Sequence, residues 1–326
     1  MLGLVSCGGG NGTPTPTTPT PPTTPTPPTT PANTWSISGR IVAYGTSAAV
    51  SGATITPDWA LAAVASDQSG NYQLGAIANP PFTPYQLSVA ASGMITRGVH
   101  INWARGERTN VDIDLIRDGA PFSMDFYKQF VRGTYDQPDA PWPVLRWTTA
   151  PSFYVKTTDQ DGRPIEPEVL TRVLDAIRQA VPAYTAGRYT VAALETGSTA
   201  RAQALNWINV DIRRDPNEES TCGYAYIGAN PGSITLNDDV CSCGSNKIPG
   251  AVTMHEVGHA LGFFHVSDRN SLMYPFVAGD CPAGALSAAE QYHAGIAYSR
   301  ARGNTDPDQD PVSGANVTLN PVLLVR

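Results

Sequence analysis

Three of the chain's five histidines, His255, His259 and His265, fall within eleven residues, and a carboxylate, Glu256, stands beside the first. Imidazoles four residues apart lie on one face of an α-helix, because four residues is little more than one turn. Gly262 can take up a backbone that a helix cannot continue, so the chain can reverse there and bring in His265. Three neutral imidazoles with a fourth position open form a catalytic zinc centre, and a glutamate beside it makes that centre hydrolytic. The expected chemistry is attack of an activated water on a carbonyl carbon. One Zn2+ is held by His255, His259 and His265, and Glu256 is the general base.

Those side chains need a helix, a turn and a scaffold. The pattern predicts the metal helix over about 249–263 and a last helix over about 287–302, in which His293 is expected to pack rather than react. Upstream, 152–157 reads as a strand closed by the turn Asp159-Gln160-Asp161-Gly162. A helix follows, with Pro167 in its first turn, Val169, Val173, Ile177 and Val181 along one face, and Pro182 just past its end. Further strands are predicted over 189–194, 207–212, 223–227 and 233–236. The order of elements is that of an α+β domain over 147–326, with the metal helix under a small sheet. The strand at 223–227 or the next at 233–236 is the expected edge for an extended peptide.

Residues 35–117 alternate with period two in short segments at 36–42, 53–55, 71–74, 85–89 and 110–115, separated by turns such as Asp67-Gln68-Ser69-Gly70. Strands at this spacing predict a small all-β sandwich. Trp59, Trp103 and His100 are expected to pack there rather than bind. Residues 118–146 form a weakly patterned connector with one short helix near 124–131, read as the strap that leads into the catalytic domain. The chain is thus multidomain.

Composition limits the partners. A net charge of −7 at 326 residues argues against a nucleic-acid partner. No apolar run approaches a membrane span. Residues 8–34 are glycine and then almost wholly threonine and proline, which stays extended as a stalk. Four cysteines, Cys222, Cys241, Cys243 and Cys281, lie in the C-terminal half. Cys241 and Cys243 are too close to bond easily to each other, which leaves Cys222 paired with Cys241 or with Cys243. Disulfides suit an exported chain better than structural zinc does. Carboxylates at Asp238 and Asp239, or Glu218 and Glu219, are candidates for Ca2+. Their spacing lacks EF-hand regularity, so solvated acidic loops are the expectation.

Three resemblances sharpen this reading. The run His255-Glu256-Val257-Gly258-His259-Ala260-Leu261-Gly262-Phe263-Phe264-His265, followed by Ser271-Leu272-Met273-Tyr274-Pro275, resembles the metzincin zinc peptidases, and their matrixin branch most closely. The resemblance implies a metzincin-type fold, a single zinc on the three histidines, and Met273 as the floor beneath the metal. It also implies protein or peptide substrates, with Tyr274, Phe276 and Val277 walling the pocket beyond the cut and favouring apolar side chains. Val266 replaces the usual matrixin serine, and Pro275 stands where astacin- and serralysin-like enzymes carry a zinc-binding tyrosine. Only His100 precedes His255, so a second, histidine-rich zinc site is not expected, and no upstream cysteine is placed for latency.

The segment Ser66–Leu74, after an SGRIV opening, resembles the carboxypeptidase regulatory-like module, a transthyretin- or immunoglobulin-like sandwich without catalysis of its own. Residues 1–7 end in Leu4-Val5-Ser6-Cys7, which resembles the lipobox of bacterial lipoproteins, although no basic segment precedes it. The expectation is an envelope protein whose membrane contact is a lipid on Cys7, or else a secreted one. The alternative function is a surface adhesion or binding protein in which the sandwich is primary and the peptidase accessory. The oligomeric state is left open.

Overall fold

The computed structural model describes residues 34–59, 61–75, 77–78, 85–101, 108–214, 221–238, 242–243, 246–276 and 284–312. The expectations for Cys7 and for the stalk up to residue 33, and those for Trp103, Glu218 and Glu219, Asp239, Cys241, Cys281 and Val277, lie outside them; Thr34, the expected last residue of the stalk, instead opens the first strand.

The N-terminal region is β-rich and is built on one long strand, β1 (Thr34–Ala43). Ile37, Ile41 and Ala43 of β1 are buried, as period two requires. Strand β1 pairs with the later β4 (Asn71–Gln73) and β5 (Ile77–Ala78) antiparallel, and with β8 (Arg108–Asn110) and β9 (Ile113–Leu115) parallel. The expected single strand at 110–115 is split, although the register runs on unbroken from Ser38–Asn110 to Ile41–Ile113, because the Arg40 amide between them donates to Asp112 Oδ1 rather than to a backbone carbonyl. The Val111 amide donates to Ser38 O, and a side chain at Gly39 would meet the Val111 carbonyl at 2.0 Å.

A second sheet runs in the order β3 (Val64–Ala65), β2 (Thr54–Pro57), β6 (Tyr85–Ala90), β7 (Arg97–Ile101), antiparallel throughout. The sequence pattern missed β7, whose Arg97-Gly98-Val99-His100 breaks the alternation of apolar residues. Ile55, Leu87, Val89 and Ile101 from this sheet share one core with Ile37, Ile41, Tyr72 and Leu115 from the other.

The C-terminal region is α+β. Its sheet runs β11 (Leu194–Gly197), β10 (Ser152–Lys156), β12 (Trp207–Arg213), β14 (Gly232–Asn237), β13 (Gly223–Ala225), with β13 an antiparallel edge on an otherwise parallel sheet. A two-residue ladder joins β15 (Ser242–Cys243) and β16 (Asn246–Lys247). The strand predicted over 189–194 is displaced to β11. Residues 189–193 lead into it, with Tyr189 held by Thr185 Oγ1 and Thr148 O. Helix α2 (Pro167–Tyr184) buries Val169, Val173, Ile177 and Val181 as predicted. It runs through Pro182 rather than ending before it, because the added turn buries Tyr184 in the core and Thr185 N caps onto Val181 O.

The metal helix α3 (Gly250–Ala260) is shorter than its pattern, since Gly262 turns the chain at φ +106°. A Cβ there would lie 2.8 Å from the Leu145 carbonyl carbon, so packing as well as conformation demands glycine. Helix α4 (Ala288–Ser299) opens on a capping box of Ser287 and Glu290.

Residues 118–146 pack into this second core rather than spanning to it. They carry α1 (Met124–Arg132), N-capped by Ser123, with Tyr127, Phe130 and Val131 buried among residues of α2, α3 and α4. Phe130 stacks on Phe263 at 4.4 Å between centroids. The two regions also meet directly. Gly98 of β7 exchanges backbone hydrogen bonds with Asp308 and Asp310, and buried Arg300 pairs with Asp308 (2.8 Å) and with Asp114 of β9 (2.6 Å). Cys222, just before β13, is disulfide-bonded. No helix of the described residues is long and apolar enough to cross a membrane.

Candidate metal centre

Helix α3 sets His255 and His259 one turn apart, and the turn at Gly262 returns His265 to them. The ligand atoms of the three rings all lie within 4.8 Å of one another. His259 Nε2 is 3.0 Å from His255 Nε2 and 3.2 Å from His265 Nε2. His259 and His265 are buried, and His255 is partly exposed.

The other ring nitrogen of each histidine is committed. His255 Nδ1 donates to Leu272 O (2.7 Å), His259 Nδ1 to Phe263 O (2.8 Å), and His265 Nδ1 to the Asp136 carboxylate (3.1 Å). A carbonyl or carboxylate oxygen only accepts, so the proton of each ring sits on Nδ1 and each Nε2 presents a lone pair. Three lone pairs converging at about 3 Å repel unless a cation stands among them, and an all-imidazole set of three suits zinc. Burial, joined by the neighbouring His265, pushes His255 down to about 4, and burial holds His259 well below the usual histidine value. Both rings are therefore neutral at pH 7, the form in which an imidazole can bind a metal.

Glu256 is 2% exposed, and burial pushes its carboxyl up to about 8. Its Oε2 is buried with no hydrogen-bond partner among the described residues, which suits a group reserved for a water and a substrate. The carboxylate rests against β13, where a Cβ at Gly223 would come within 3.0 Å of Glu256 Oε1.

Met273 is fully buried under the histidines' helix, its Sδ 3.1 Å from the Tyr184 hydroxyl. Gly258, between the two helical ligands, has room for no side chain: a Cβ would meet Tyr184 at 2.6 Å and Met273 Sδ at 2.8 Å. The turn that presents Met273 is clamped by buried Glu290, which accepts from the Met273 amide (3.0 Å) and from Ser271 Oγ. Val266 N donates to Met273 O, tying that turn to the third ligand. Glu290 carried no signal in the sequence beyond its capping-box spacing from Ser287.

Of the remaining expected residues, Tyr274 is partly exposed and packs edge-on against Phe276, which is 62% exposed. His293 packs: Nδ1 donates to Ala289 O and Nε2 accepts from Ser123 N. Asp238 is not part of a solvated loop but is buried and paired with Arg214. Trp59 is 48% exposed, and His100 reaches the Asp310 carbonyl.

The β-rich region carries a shallow groove of about 630 Å³ lined by Arg40, Asp67, Asn71, Tyr72 and Asp112. Several of its polar groups bond one another. Asp67 accepts from Ser69 and Asn71, Arg40 donates to Ser69 O, and Asp112 accepts from the Arg40 amide.

Against known families, the matrixin peptidase model matches residues 200–296, under a third of the chain but spanning all three histidines, Glu256 and Met273. The match and the histidine triad fit a metzincin zinc site and indicate a zinc metallopeptidase. No curated protein matches. Two solved structures of mutant type II cohesin–X-dockerin complexes from Acetivibrio cellulolyticus are similar at 14% and 15% identity. Each covers 24% of this chain and 51% of its own, with a TM-score of 0.19. A protein of unknown function from Bacteroides fragilis is similar at 21% identity over 28% of this chain and 30% of its own, with a TM-score of 0.20. This chain spans about half the length of the first two, and at such scores the likeness says nothing further of the fold.

Proposed function

We propose that the chain is a zinc-dependent metalloendopeptidase that hydrolyses peptide bonds of extracellular or envelope proteins, with Glu256 as general base. The observation that carries this reading is the convergence of three Nε2 lone pairs beside a buried carboxylate with a free oxygen. His255, His259 and His265 would hold the metal. Bound zinc would polarise the scissile carbonyl and acidify the attacking water.

The chain's own groups supply the remaining steps. Glu256 Oε2 takes the proton of the attacking water and passes it to the leaving amine, a role open to a buried carboxyl oxygen that has no other hydrogen-bond partner among the described residues. Strand β13 would align the substrate. Cys222 O accepts from Asn237 N and Tyr226 N donates to Ser233 O, so the amides and carbonyls of Gly223 and Ala225 face away from β14, toward the open edge of the sheet. An extended peptide added there would pass Glu256, which lies against Gly223. Tyr274, Phe276 and Val277 are the proposed wall of the pocket beyond the cut.

The β-rich region, read as a carboxypeptidase regulatory-like sandwich, is a scaffold in this account. Several polar groups of its groove already bond one another. The Cys222 disulfide supports an oxidising compartment, and lipidation at Cys7 or plain secretion would both place the enzyme there. The expected result is that Glu256→Gln binds zinc as the parent does and loses at least about 10³-fold in peptide hydrolysis. Hydrolysis by that variant at the parent's rate would remove Glu256 from the mechanism.

A further inference from the structure

His255 and His259 lean on backbone carbonyls within a few residues of the ligand set, Leu272 O and Phe263 O. His265 differs: its Nδ1 donates to the carboxylate of Asp136, which lies 129 residues earlier in the chain. Asp136 is the one charged acceptor among the three.

Its position is built rather than incidental. Helix α1 ends at Gly133 in the left-handed region (φ 72°), whose amide returns to Gln129 O. A Cβ at Gly133 would meet the Phe264 ring at 2.7 Å, so the helix end sits flush on the residue before the third ligand. The next turn is closed by Gln137 N donating to Gly133 O, which sets Asp136 over the imidazole while Tyr135 stands edge-on to it. Two further bonds fix the ligand segment to the same helix. Phe264 N donates to Phe130 O and Ser267 N to Gln129 Oε1, each at 2.8 Å. The Asp136 side chain is 24% exposed, so solvent only partly screens its charge.

We propose that Asp136 is a positioning residue of the metal centre: delivered by the 118–146 strap, its carboxylate fixes the Nδ1–H tautomer and ring plane of His265 and makes that ring the strongest donor of the three. A carboxylate behind an imidazole strengthens the donor nitrogen opposite, and such partners are worth about 10- to 100-fold in metal affinity. The proposal rests on the zinc reading of the three histidines and adds to it the group that sets how tightly the metal is held. It also gives the strap a function. A segment without a ligand or nucleophile of its own would control retention of the metal.

The experiment uses the full chain, stripped with a chelator and titrated with Zn2+ against a chromophoric competitor, with Co2+ absorption as a second readout. Asp136→Asn keeps the shape and removes the charge, Asp136→Glu keeps the charge on a longer arm, and Gln129→Ala loosens the strap without touching His265. Asp136→Asn is expected to weaken Zn2+ binding about 10- to 100-fold and to shift the Co2+ band, while the metal-free protein melts as the parent does. Asp136→Glu is expected to recover part of the affinity, and Gln129→Ala to stay within about threefold of the parent.

Asp136→Asn binding Zn2+ within about twofold of the parent would overturn the proposal and leave the zinc reading standing. An equal loss in Gln129→Ala would overturn it too, because general packing of the strap would then suffice. A parent chain that binds no Zn2+, indistinguishable from His255→Ala, would instead defeat the zinc reading itself and the proposal with it.

Discussion

Residues 255–275 and residues 123–137 build one candidate metal centre by opposite means. In the first stretch the residue types are the site: two helical histidines, a glutamate, a turn glycine, a third histidine and a methionine turn, all within about twenty positions. In the second, no residue type announces chemistry, yet it stacks Phe130 under Phe263, caps Gly133 against Phe264 and sets Asp136 behind His265. The difference teaches that ligands whose spacing is dictated by helix geometry are written locally. The groups that hold them are not, because any stretch that folds back can supply a ring and a carboxylate.

The comparison breaks most readily at Phe130. If the strap is part of the catalytic core, removing a fully buried ring stacked at 4.4 Å on Phe263 costs about 3–5 kcal/mol, the usual range for a core aromatic cut to alanine. If it were a linker, Phe130→Ala would stay within about 0.5 kcal/mol, as surface changes do. Denaturant unfolding of the metal-free chain measures the difference directly. A small loss would return the strap to the status its sequence suggested.

Gly258→Ala tests the other stretch. Alanine is the better helix former by about 1 kcal/mol, so an unconstrained helix would gain. Here the new methyl would fall 2.6 Å from Tyr184 and 2.8 Å from Met273 Sδ, and both partners are fully buried with nowhere to withdraw. The clash wins, and the expected net cost is about 1–3 kcal/mol with weakened zinc retention, read by denaturant unfolding and metal titration. A variant as stable as the parent would mean that Met273 does not pack as a tight floor.

These two sites also mark how far the sequence could be read. Gly262 and the three histidines follow from helical spacing, and the apolar face of α2 follows from its 3.6 period. The α+β order of the second region was legible for the same reason. Tertiary contacts overrode local pattern elsewhere. Pro182 lies inside α2 because Tyr184 is worth burying, and β7 escaped notice because Arg97 and His100 interrupt its alternation. The interruption has a cause: Arg97 pairs with Asp114 and Asp310, and His100 donates to Asp310 O. Glu290 and Asp136 were illegible because what makes them matter is a neighbour 17 and 129 residues away.

The ion-pair network around Asp114 yields the smallest effect and tests whether the strap's support extends into the β-rich region. Arg132 of α1 donates to Asn304 (2.7 Å), Asn304 to Asp308 (3.0 Å), and Arg300 spans Asp308 and Asp114 of β9. Burial alone would raise the Asp114 carboxyl. The guanidiniums of Arg300 and then Arg97 outweigh it and hold the group below the usual carboxylate range. Tyr44, pushed up to about 12 by burial, stays neutral beside it. A carboxyl depressed in the folded state contributes stability that is fully present above its unfolded value, about 3.9, and is lost as pH falls through the folded value. The stability difference between the parent and Asp114→Asn should therefore be flat from pH 7 to about 5 and shrink only below about 4. Thermal melts across that range measure it. A difference that closes already near pH 6 would assign the linkage to a histidine. One that never closes would mean that the loss in Asp114→Asn does not come from the carboxylate charge, and the ion-pair network would end at Asp308.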